Sequence, residues 1–328
     1  MHEKKEFEII MHTTMKYLEI FLVEMTTRVP HGHDDFEIGI LLEGDLSIFI
    51  ENEPYELHAG DIFIINRYQV HSFLSKNSRN RILAFQIHTD FYRRINYQLG
   101  FLYFKDNIFR SGVFYDNLYE TLLSCADCYF STSKHKDLKC SSILFDALYR
   151  LLNNGTYTMW CEKATVTAQN NTLRLNRMTQ YILEHFNECL SLQDIAELEK
   201  ISKYHASHFI KKMLGISFQE YLNQLRFEHA LQIMRNSTLS ILDICIESGF
   251  SSSKYLNQMF KKNFGCSARE YSKMKEKPYL TGMALPTGNI ENRYSFEQSS
   301  FLYSKLTNRE SPSPSSISAI RLLAKPSP

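Results

Sequence analysis

The sequence predicts an α+β protein of several domains, in which a β-barrel is followed by an all-α domain of two helix-turn-helix units. Apolar residues between Leu18 and Ile87 come in runs of strand length separated by turn residues, which is typical of a small barrel or sandwich. Between Leu173 and Glu276 they recur at helical spacing, in two stretches that nearly copy each other. A length of 328 residues allows this organisation.

The barrel is expected within residues 1–100, because its apolar runs are broken at Gly44, Pro54 and Gly60. The clearest predicted strands are residues 37–42, 46–50 and 62–65.

Three further segments complete the expected organisation. Residues 101–160 hold two apolar stripes at helical spacing, Val113–Leu123 and Ile143–Leu152, which predict two amphipathic helices. Residues 161–172 are polar and unpatterned, which indicates a linker. Residues 277–328 are rich in proline and serine, so we expect a mostly disordered tail.

The duplicated unit spans residues 173–276. In each copy, serine stands three residues before an acid at two places, a pattern that caps helix starts. The capping serines are Ser191, Ser217, Ser240 and Ser267. Each copy therefore predicts a short helix, a tight turn and a second helix. The predicted helices are Leu192–Glu199 and Lys203–Met213 in the first copy, Ile241–Ser248 and Ser253–Asn263 in the second, and Phe218–Arg235 between them.

The second helix of each copy has an apolar and a polar side. Ala206 and Ile210 in one copy match Leu256 and Phe260 in the other, and their spacing of four predicts a core-facing stripe. The outward positions lack acids and can donate to phosphates and base edges, which predicts a DNA-binding surface. A merely solvated basic face is the alternative, and the duplication in register disfavours it. The candidate DNA-binding residues are Lys203, Tyr204, Ser207, His208, Lys211, Lys212, Ser253, Lys254, Asn257, Gln258, Lys261 and Lys262.

Residues 173–276 resemble the DNA-binding domain of the AraC/XylS family of bacterial transcription regulators. The motifs that carry the resemblance are Ser191-Leu192-x-Asp194-Ile195-Ala196, Leu222-x-x-x-Arg226-x-x-x-Ala230, Gly249-Phe250-Ser251 and Phe260-Lys261-Lys262-x-x-Gly265-x-Ser267-x-x-Glu270-Tyr271. The resemblance implies that the two second helices enter successive major grooves, about 34 Å apart.

Three positions depart from the family pattern. His208 and Gln258 stand where the family often has arginine, and Lys200 stands where it commonly has glycine. Glutamine pairs with adenine through two hydrogen bonds, so we expect adenine opposite Gln258 and weaker guanine recognition at both positions.

The barrel carries His31, His33, Glu37 and His71 in a pattern that resembles the two signatures of cupin barrels. In metal-binding cupins such residues hold one metal ion. The sensor barrels of AraC-type regulators commonly keep a histidine and a Phe-Glu pair, here Phe36-Glu37, and bind a sugar or other small molecule without metal. We expect these four residues to bind an organic effector, with no metal and no cofactor. A metal site and purely structural histidines are the alternatives.

These expectations together describe a sequence-specific DNA-binding regulator, not an enzyme. We expect an effector-responsive activator of carbohydrate uptake or catabolism genes that binds promoter DNA. RNA polymerase and a second copy of the chain are expected partners; the resemblance implies dimerisation through residues 101–160, although these helices could simply cap the barrel. The polar start, the lack of a membrane span and seven irregularly spaced cysteines suggest the cytoplasm. The alternatives are a cupin metalloenzyme tethered to DNA and a constitutive DNA-binding protein with a dimerising barrel.

Overall fold

The computed structural model describes residues 15–75, 80–237, 239–274 and 289–308. An N-terminal antiparallel sheet curls into a partial barrel with helices packed against it, and a helical region with two helix-turn-helix units follows. The predicted fold class is confirmed.

The strands lie mainly in the first third of the chain. They are β1 (Leu18–His31), β2 (Phe36–Glu43), β3 (Asp45–Ile50), β4 (Glu53–His58), β5 (Ile62–Ile65), β6 (His71–Ser75), β7 (Arg81–Ile87), β8 (Leu102–Phe104), β9 (Ile108–Phe109), β10 (Tyr157–Met159) and β11 (Ile290–Arg293). The curled sheet has the order β4-β3-β6-β1-β7-β2-β5-β9, β11 pairs with β1, and β8 and β10 form a separate pair.

The helices occupy most of the rest of the described chain. They are α1 (Asp90–Arg93), α2 (Val113–Phe130), α3 (Lys136–Asn154), α4 (Glu162–His185), α5 (Leu192–Leu198), α6 (Lys203–Leu214), α7 (Phe218–Asn236), α8 (Ile241–Glu247), α9 (Ser253–Phe264), α10 (Ala268–Lys273) and α11 (Phe296–Thr307). The five helices predicted for the duplicated unit begin at their predicted residues, and each ends within one residue of its predicted end.

The curled sheet is apolar on both faces because successive side chains of a strand point in opposite directions. Ile20 and Leu22 of β1 belong to a core shared with α2 and α3. Phe21 and Val23 belong to a second core formed by the other face of the sheet. The helices therefore cover one face, and the curl encloses the other.

The helical region has two cores, one for each helix-turn-helix unit. The first part of α7, including Tyr221, packs with α4, α5 and α6. The second part, including Phe227, packs with α8, α9 and α10. Helix α7 thus joins the two units, because its first part belongs to one core and its second part to the other.

The prediction of a linker at residues 161–172 is wrong as to structure, because α4 runs through this stretch from Glu162 to His185. Thr172 is only 1% exposed, and its hydroxyl donates a hydrogen bond to the carbonyl of Tyr68, 2.7 Å away. A polar side chain that is satisfied against the sheet can lie within a helix, and the polar composition concealed this.

The expectation of disorder at residues 277–328 is wrong for residues 289–308, which contain β11 and α11. The remaining parts of this segment, 277–288 and 309–328, lie outside the described residues.

Candidate DNA-binding surface and effector cavity

Serine caps fix the starts of the helices around the candidate DNA-binding surface. Ser191, Ser217 and Ser267 each form a complete capping box with the acid three residues later. Ser240 caps α8 by accepting from the backbone of Asp243 at 3.2 Å and donating to its carboxylate at 2.6 Å. Each such cap satisfies backbone donors that the first helical turn leaves without partners.

The turns of the two units have the same backbone conformation but different residues. Gly249 has φ of 72° in the second unit, and Lys200 has φ of 54° in the first. Both values are left-handed, which glycine adopts without the steric cost that a lysine side chain meets.

The outward face of α6 lies where the sequence predicts. Ala206 and Ile210 are fully buried, and all six candidate residues of this helix are exposed. The Tyr204 ring packs on the His208 ring with centroids 4.3 Å apart, so this aromatic pair lies on the face that is proposed to meet DNA.

The outward face of α9 agrees with prediction except at Asn257. Leu256 and Phe260 are fully buried, and five of the six candidate residues are exposed. The side-chain oxygen of Asn257 accepts from the backbone of Ala268 at 3.0 Å, and its nitrogen donates to the carbonyl of Ser253 at 2.9 Å. This amide braces α9 against α10, so we no longer expect it to recognise a base.

Sequence reasoning missed Tyr255 on the same helix. Its side chain is 56% exposed, one residue from Lys254. In the sequence, Tyr255 and Leu256 are adjacent apolar residues of the family motif, and both could be assigned to the core. The structure shows that Leu256 is buried and Tyr255 is exposed.

The three barrel histidines predicted to bind an effector do come together. Their ligating nitrogens lie within 4.8 Å of one another, and the ring centroids of His31 and His71 are 4.2 Å apart. In each ring, Nδ1 faces a backbone carbonyl two residues away: Val29 at 2.9 Å from His31, Asp35 at 3.0 Å from His33 and Gln69 at 3.0 Å from His71. Since a carbonyl only accepts, Nδ1 carries hydrogen and the neutral ring offers its lone pair at Nε2.

Glu37 completes the cluster. Its Oε2 lies 3.3 Å from Nε2 of His33 and accepts from the side-chain amide of Gln86 at 3.2 Å. A carboxylate oxygen and an imidazole lone pair repel at this distance unless a proton or cation lies between them. The four residues therefore form a site that binds positive charge or hydrogen-bond donors.

Burial sets the protonation of the cluster. It lowers the pKa of His31 well below the usual value, with help from the charge of Arg28, and lowers that of His71 in the same way, with help from His31 and His33. Burial alone would raise the pKa of Glu37, but the hydrogen bond from His33, together with the positive charge that His33 or His71 carries when protonated, outweighs it and lowers the pKa. An ionised Glu37 beside neutral His31 and His71 follows.

A cavity of about 40 Å³ adjoins the cluster. Ordinary ligand pockets measure roughly 300–1,000 Å³, so this cavity in its present form accepts an ion or a few water molecules. Its lining residues are Phe21, Val23, Met25, Arg28, His31, Glu37, His71, Phe73, Ile82, Ala84, Gln86, Glu291 and Arg293.

Sequence reasoning missed the charged lining residues Arg28, Glu291 and Arg293. The pairing of β1 with β6 shifts register between Arg28 and His31, so strand alternation does not place Arg28 beside the histidines. Glu291 and Arg293 come from β11, beyond the helical region, and no local signal marks them.

A direct contact joins the histidine cluster to α4. Gly32, between His31 and His33, donates from its backbone to the Asn176 side chain at 3.2 Å and accepts from it at 2.8 Å. Val70, beside His71, packs into the core of the first helix-turn-helix unit. A movement of the histidines would therefore be transmitted to the helical region through these contacts.

The helices were also compared with the requirements of a bilayer span. Among the helices of residues 15–75, 80–237, 239–274 and 289–308, none combines the length and apolar character needed to cross a membrane.

Comparison with protein families gives two matches in one chain. A model described as AraC-like ligand binding domain matches residues 24–148, and one described as helix-turn-helix domain matches residues 195–274. The first covers most of the curled sheet with α2 and most of α3, and the second runs from within α5 to the end of α10.

Curated relatives are transcription regulators. An uncharacterized HTH-type transcriptional regulator of Staphylococcus aureus is 25% identical over 68% of this chain, which covers 29% of that relative's length. The melibiose operon regulatory protein of Escherichia coli is 21% identical over 79% of this chain and 90% of its own length.

Solved structures with detectable similarity include ToxT from Vibrio cholerae, 16% identical over 81% of this chain and all of that chain, with a TM-score of 0.35. The C-terminal domain of AraT, a response regulator from Geobacillus stearothermophilus, is 32% identical over 33% of this chain and 91% of that chain, with a TM-score of 0.30.

Proposed function

We propose that this chain, which belongs to the AraC/XylS family of transcription regulators, binds promoter DNA with α6 and α9 in response to an effector in the barrel. The observation that carries the DNA-binding part is the pair of equivalent faces. Each of these helices buries its apolar stripe and ends in an exposed Lys-Lys pair, Lys211-Lys212 or Lys261-Lys262. Two such faces in one chain suit a ligand that repeats, as the DNA backbone does.

Titration of the full chain with duplex DNA at several salt concentrations tests this proposal. If Lys211 and Lys212 each neutralise a phosphate, their joint change to alanine makes the slope of log affinity against log salt shallower by about 2. The same is expected for Lys261 and Lys262. The matched control is Lys134→Ala with Lys139→Ala, which removes two exposed lysines far along the sequence from α6 and α9. Equal slopes in all variants would contradict the proposal.

The effector is proposed to bind at His31, His33, Glu37 and His71. His31, Glu37 and His71 line the cavity and His33 lies beside them. The contact of Gly32 with Asn176 on α4 supports a response that reaches the first helix-turn-helix unit. A ligand shifts this arrangement only if it binds one state more tightly than the other. A sugar is the first class to try, because one relative is named for the melibiose operon. Duplex affinity measured with and without candidate sugars distinguishes an effector-responsive regulator from a constitutive one.

A metal ion is the second candidate for the effector. The three converging imidazoles, with Nδ1 of each held by a carbonyl, have the outer contacts that orient metal ligands, and the cavity volume of about 40 Å³ suits an ion. Elemental analysis of purified protein distinguishes the two candidates. If the protein contains a stoichiometric transition metal that is lost in His33→Ala, the ligand of this site is the metal ion and not an organic effector.

The remaining parts of the proposal concern partners and location. We propose that the chain acts in the bacterial cytoplasm as a homodimer that activates carbohydrate uptake or catabolism genes with RNA polymerase. Leu138 and Tyr149 of α3 are 75% and 65% exposed, which supports a protein partner on this helix. Sedimentation of the wild type against Tyr149→Ser tests the dimer.

A further inference from the structure

The segment that follows the helical region returns to the sensor sheet. The chain leaves α10 at Lys273, and residues 289–308 lie back on the barrel. Strand β11 pairs antiparallel with residues 23–27 of β1, between the part that pairs with β7 and the part that pairs with β6. It therefore extends the sheet in which the effector cavity lies.

Helix α11 anchors this segment. Tyr303 is 2% exposed, and its hydroxyl lies 2.9 Å from the carbonyl of Leu123 and 2.7 Å from the carboxylate of Asp127, both on α2. Phe296 packs beside Phe130, with ring centroids 5.5 Å apart. Burial of aromatic side chains on this scale holds α11 firmly on the barrel.

The side chains of β11 reach the cavity. Glu291 forms an ion pair with Arg28, and the Nε of Arg28 donates to Nε2 of His31 at 3.1 Å. The guanidinium of Arg293 lies 3.6 Å from the centre of the Phe21 ring. Glu291 and Arg293 are thus lining residues of the cavity that come from beyond the DNA-binding helices.

We propose that Glu291 and Arg293 belong to the effector-binding site, and that β11 is a gate held over the cavity by the Arg28–Glu291 ion pair. This inference rests on the proposed function, since the effector is the molecule that would pass the gate. Release of β11 enlarges the cavity beyond its present volume of about 40 Å³ while α11 stays anchored. An effector that occupies the open cavity must displace or rearrange Glu291, so binding in the barrel changes how residues 289–308 are held.

Strand β11 is held to the barrel less strongly than helix α11, so β11 can open while α11 stays in place. All four residues of β11 are exposed, and the Glu291 side chain is 29% exposed in its ion pair. The Arg28–Glu291 ion pair and the short pairing with β1 hold β11 at a solvent-exposed position, whereas buried aromatic contacts hold α11. The aromatic contacts contribute more than an ion pair near solvent does. Local opening draws on segments of low stability, so β11 is expected to open before α11.

Modification of histidines by diethyl pyrocarbonate, measured by peptide mass spectrometry on the full chain, tests the gate. The reporters are His33 and His71, each 2% exposed, and exposed His135 is the internal reference. Glu291→Lys places a second positive charge beside Arg28. We expect the rates at His33 and His71, relative to His135, to rise about fivefold because the open state becomes more populated.

The matched control is Glu297→Lys, the same change at an exposed residue of α11, for which we expect unchanged relative rates. Glu291→Gln removes only the charge and is expected to give about a twofold rise even if Glu291→Lys folds poorly. Relative rates at His33 and His71 that stay at the wild-type value in Glu291→Gln would overturn the gate. The readout involves no DNA, so loss of duplex binding would contradict the proposed function and leave this test intact.

Discussion

Lys200 and Gly249 occupy equivalent turn positions, and both have left-handed backbone, with φ of 54° and 72°. We predict that Lys200→Gly raises the free energy of unfolding by about 0.5–1 kcal/mol, because relief of the steric strain exceeds the entropy that glycine adds to the unfolded chain. Chemical denaturation followed by circular dichroism measures this. Gly249→Ala is the matched opposite change, since a Cβ there would come within 2.5 Å of the Asn187 backbone. The same sign of effect in both variants would contradict the strain at Lys200.

Glu228 on α7 is half-buried, and burial raises its pKa to about 7. Its folded pKa lies above the unfolded value of about 4.3, so its contribution to stability is full below that value and is lost as pH rises through 7. We predict that the free energy of unfolding of wild type, relative to Glu228→Gln, decreases from pH 5 to pH 8. Subtracting the variant removes the common titration of other groups. A difference that is flat with pH would show that Glu228 does not titrate in this range, and one that increases would contradict its raised pKa.

The acids of the capping boxes act in the opposite sense. Hydrogen bonds from Ser191 lower the pKa of Asp194, and those from Ser217 and Ser267 lower the pKa of Glu220 and Glu270. Their contribution is present above the unfolded pKa and is lost as pH falls through the folded one, well below the range used for Glu228.

At the scale of elements, α4 joins the barrel to the first helix-turn-helix unit through a close contact at Gly32. A Cβ on Gly32 would come within 2.6 Å of the Thr172 methyl. We predict that Gly32→Ala lowers the free energy of unfolding by about 1–3 kcal/mol, since the packed elements must shift. Thr172→Ser removes that methyl, keeps the hydroxyl that bonds to Tyr68, and should restore most of the loss.

A double-mutant cycle by denaturation measures this coupling. Strictly additive effects of Gly32→Ala and Thr172→Ser would show that α4 does not rest on Gly32. The same four proteins in a duplex-binding assay report whether the contact affects the DNA-binding surface.

Elements with local signals could be predicted from the sequence, whereas those that depend on distant partners could not. The helices of the duplicated unit were predicted because a capping serine stands directly before α5, α7 and α8, and because α6 and α9 each carry an apolar stripe. The cluster of His31, His33 and His71 was predicted from its motif, and its ligating nitrogens do converge. The first part of α4, residues 162–172, was missed because it is polar and because its contacts, such as that of Thr172 with Tyr68, involve a distant part of the chain.

At the scale of the whole molecule, the first and last described segments, β1 and residues 289–308, lie on the same sheet. Ser299 of α11 accepts a hydrogen bond from the backbone of Leu22, although the two residues are 277 positions apart. A contact at such separation has no signature in a single sequence, so the proline-rich composition led to a wrong expectation for residues 289–308. The curled sheet therefore contacts the helical region through α4, and it contacts residues 289–308 through β11.

Helices α6 and α9 of one chain are proposed to bind two sites on one DNA duplex. Selection of bound duplexes from a random pool by the full chain tests it most directly. We predict two enriched blocks about 10 base pairs apart, centre to centre, as for recognition helices in successive major grooves. Adenine is expected in the block that is lost on Gln258→Ala, because glutamine pairs with its N6 and N7. A single enriched block that is unaffected by changes on one of the two helices, or no enrichment at all, would contradict the account.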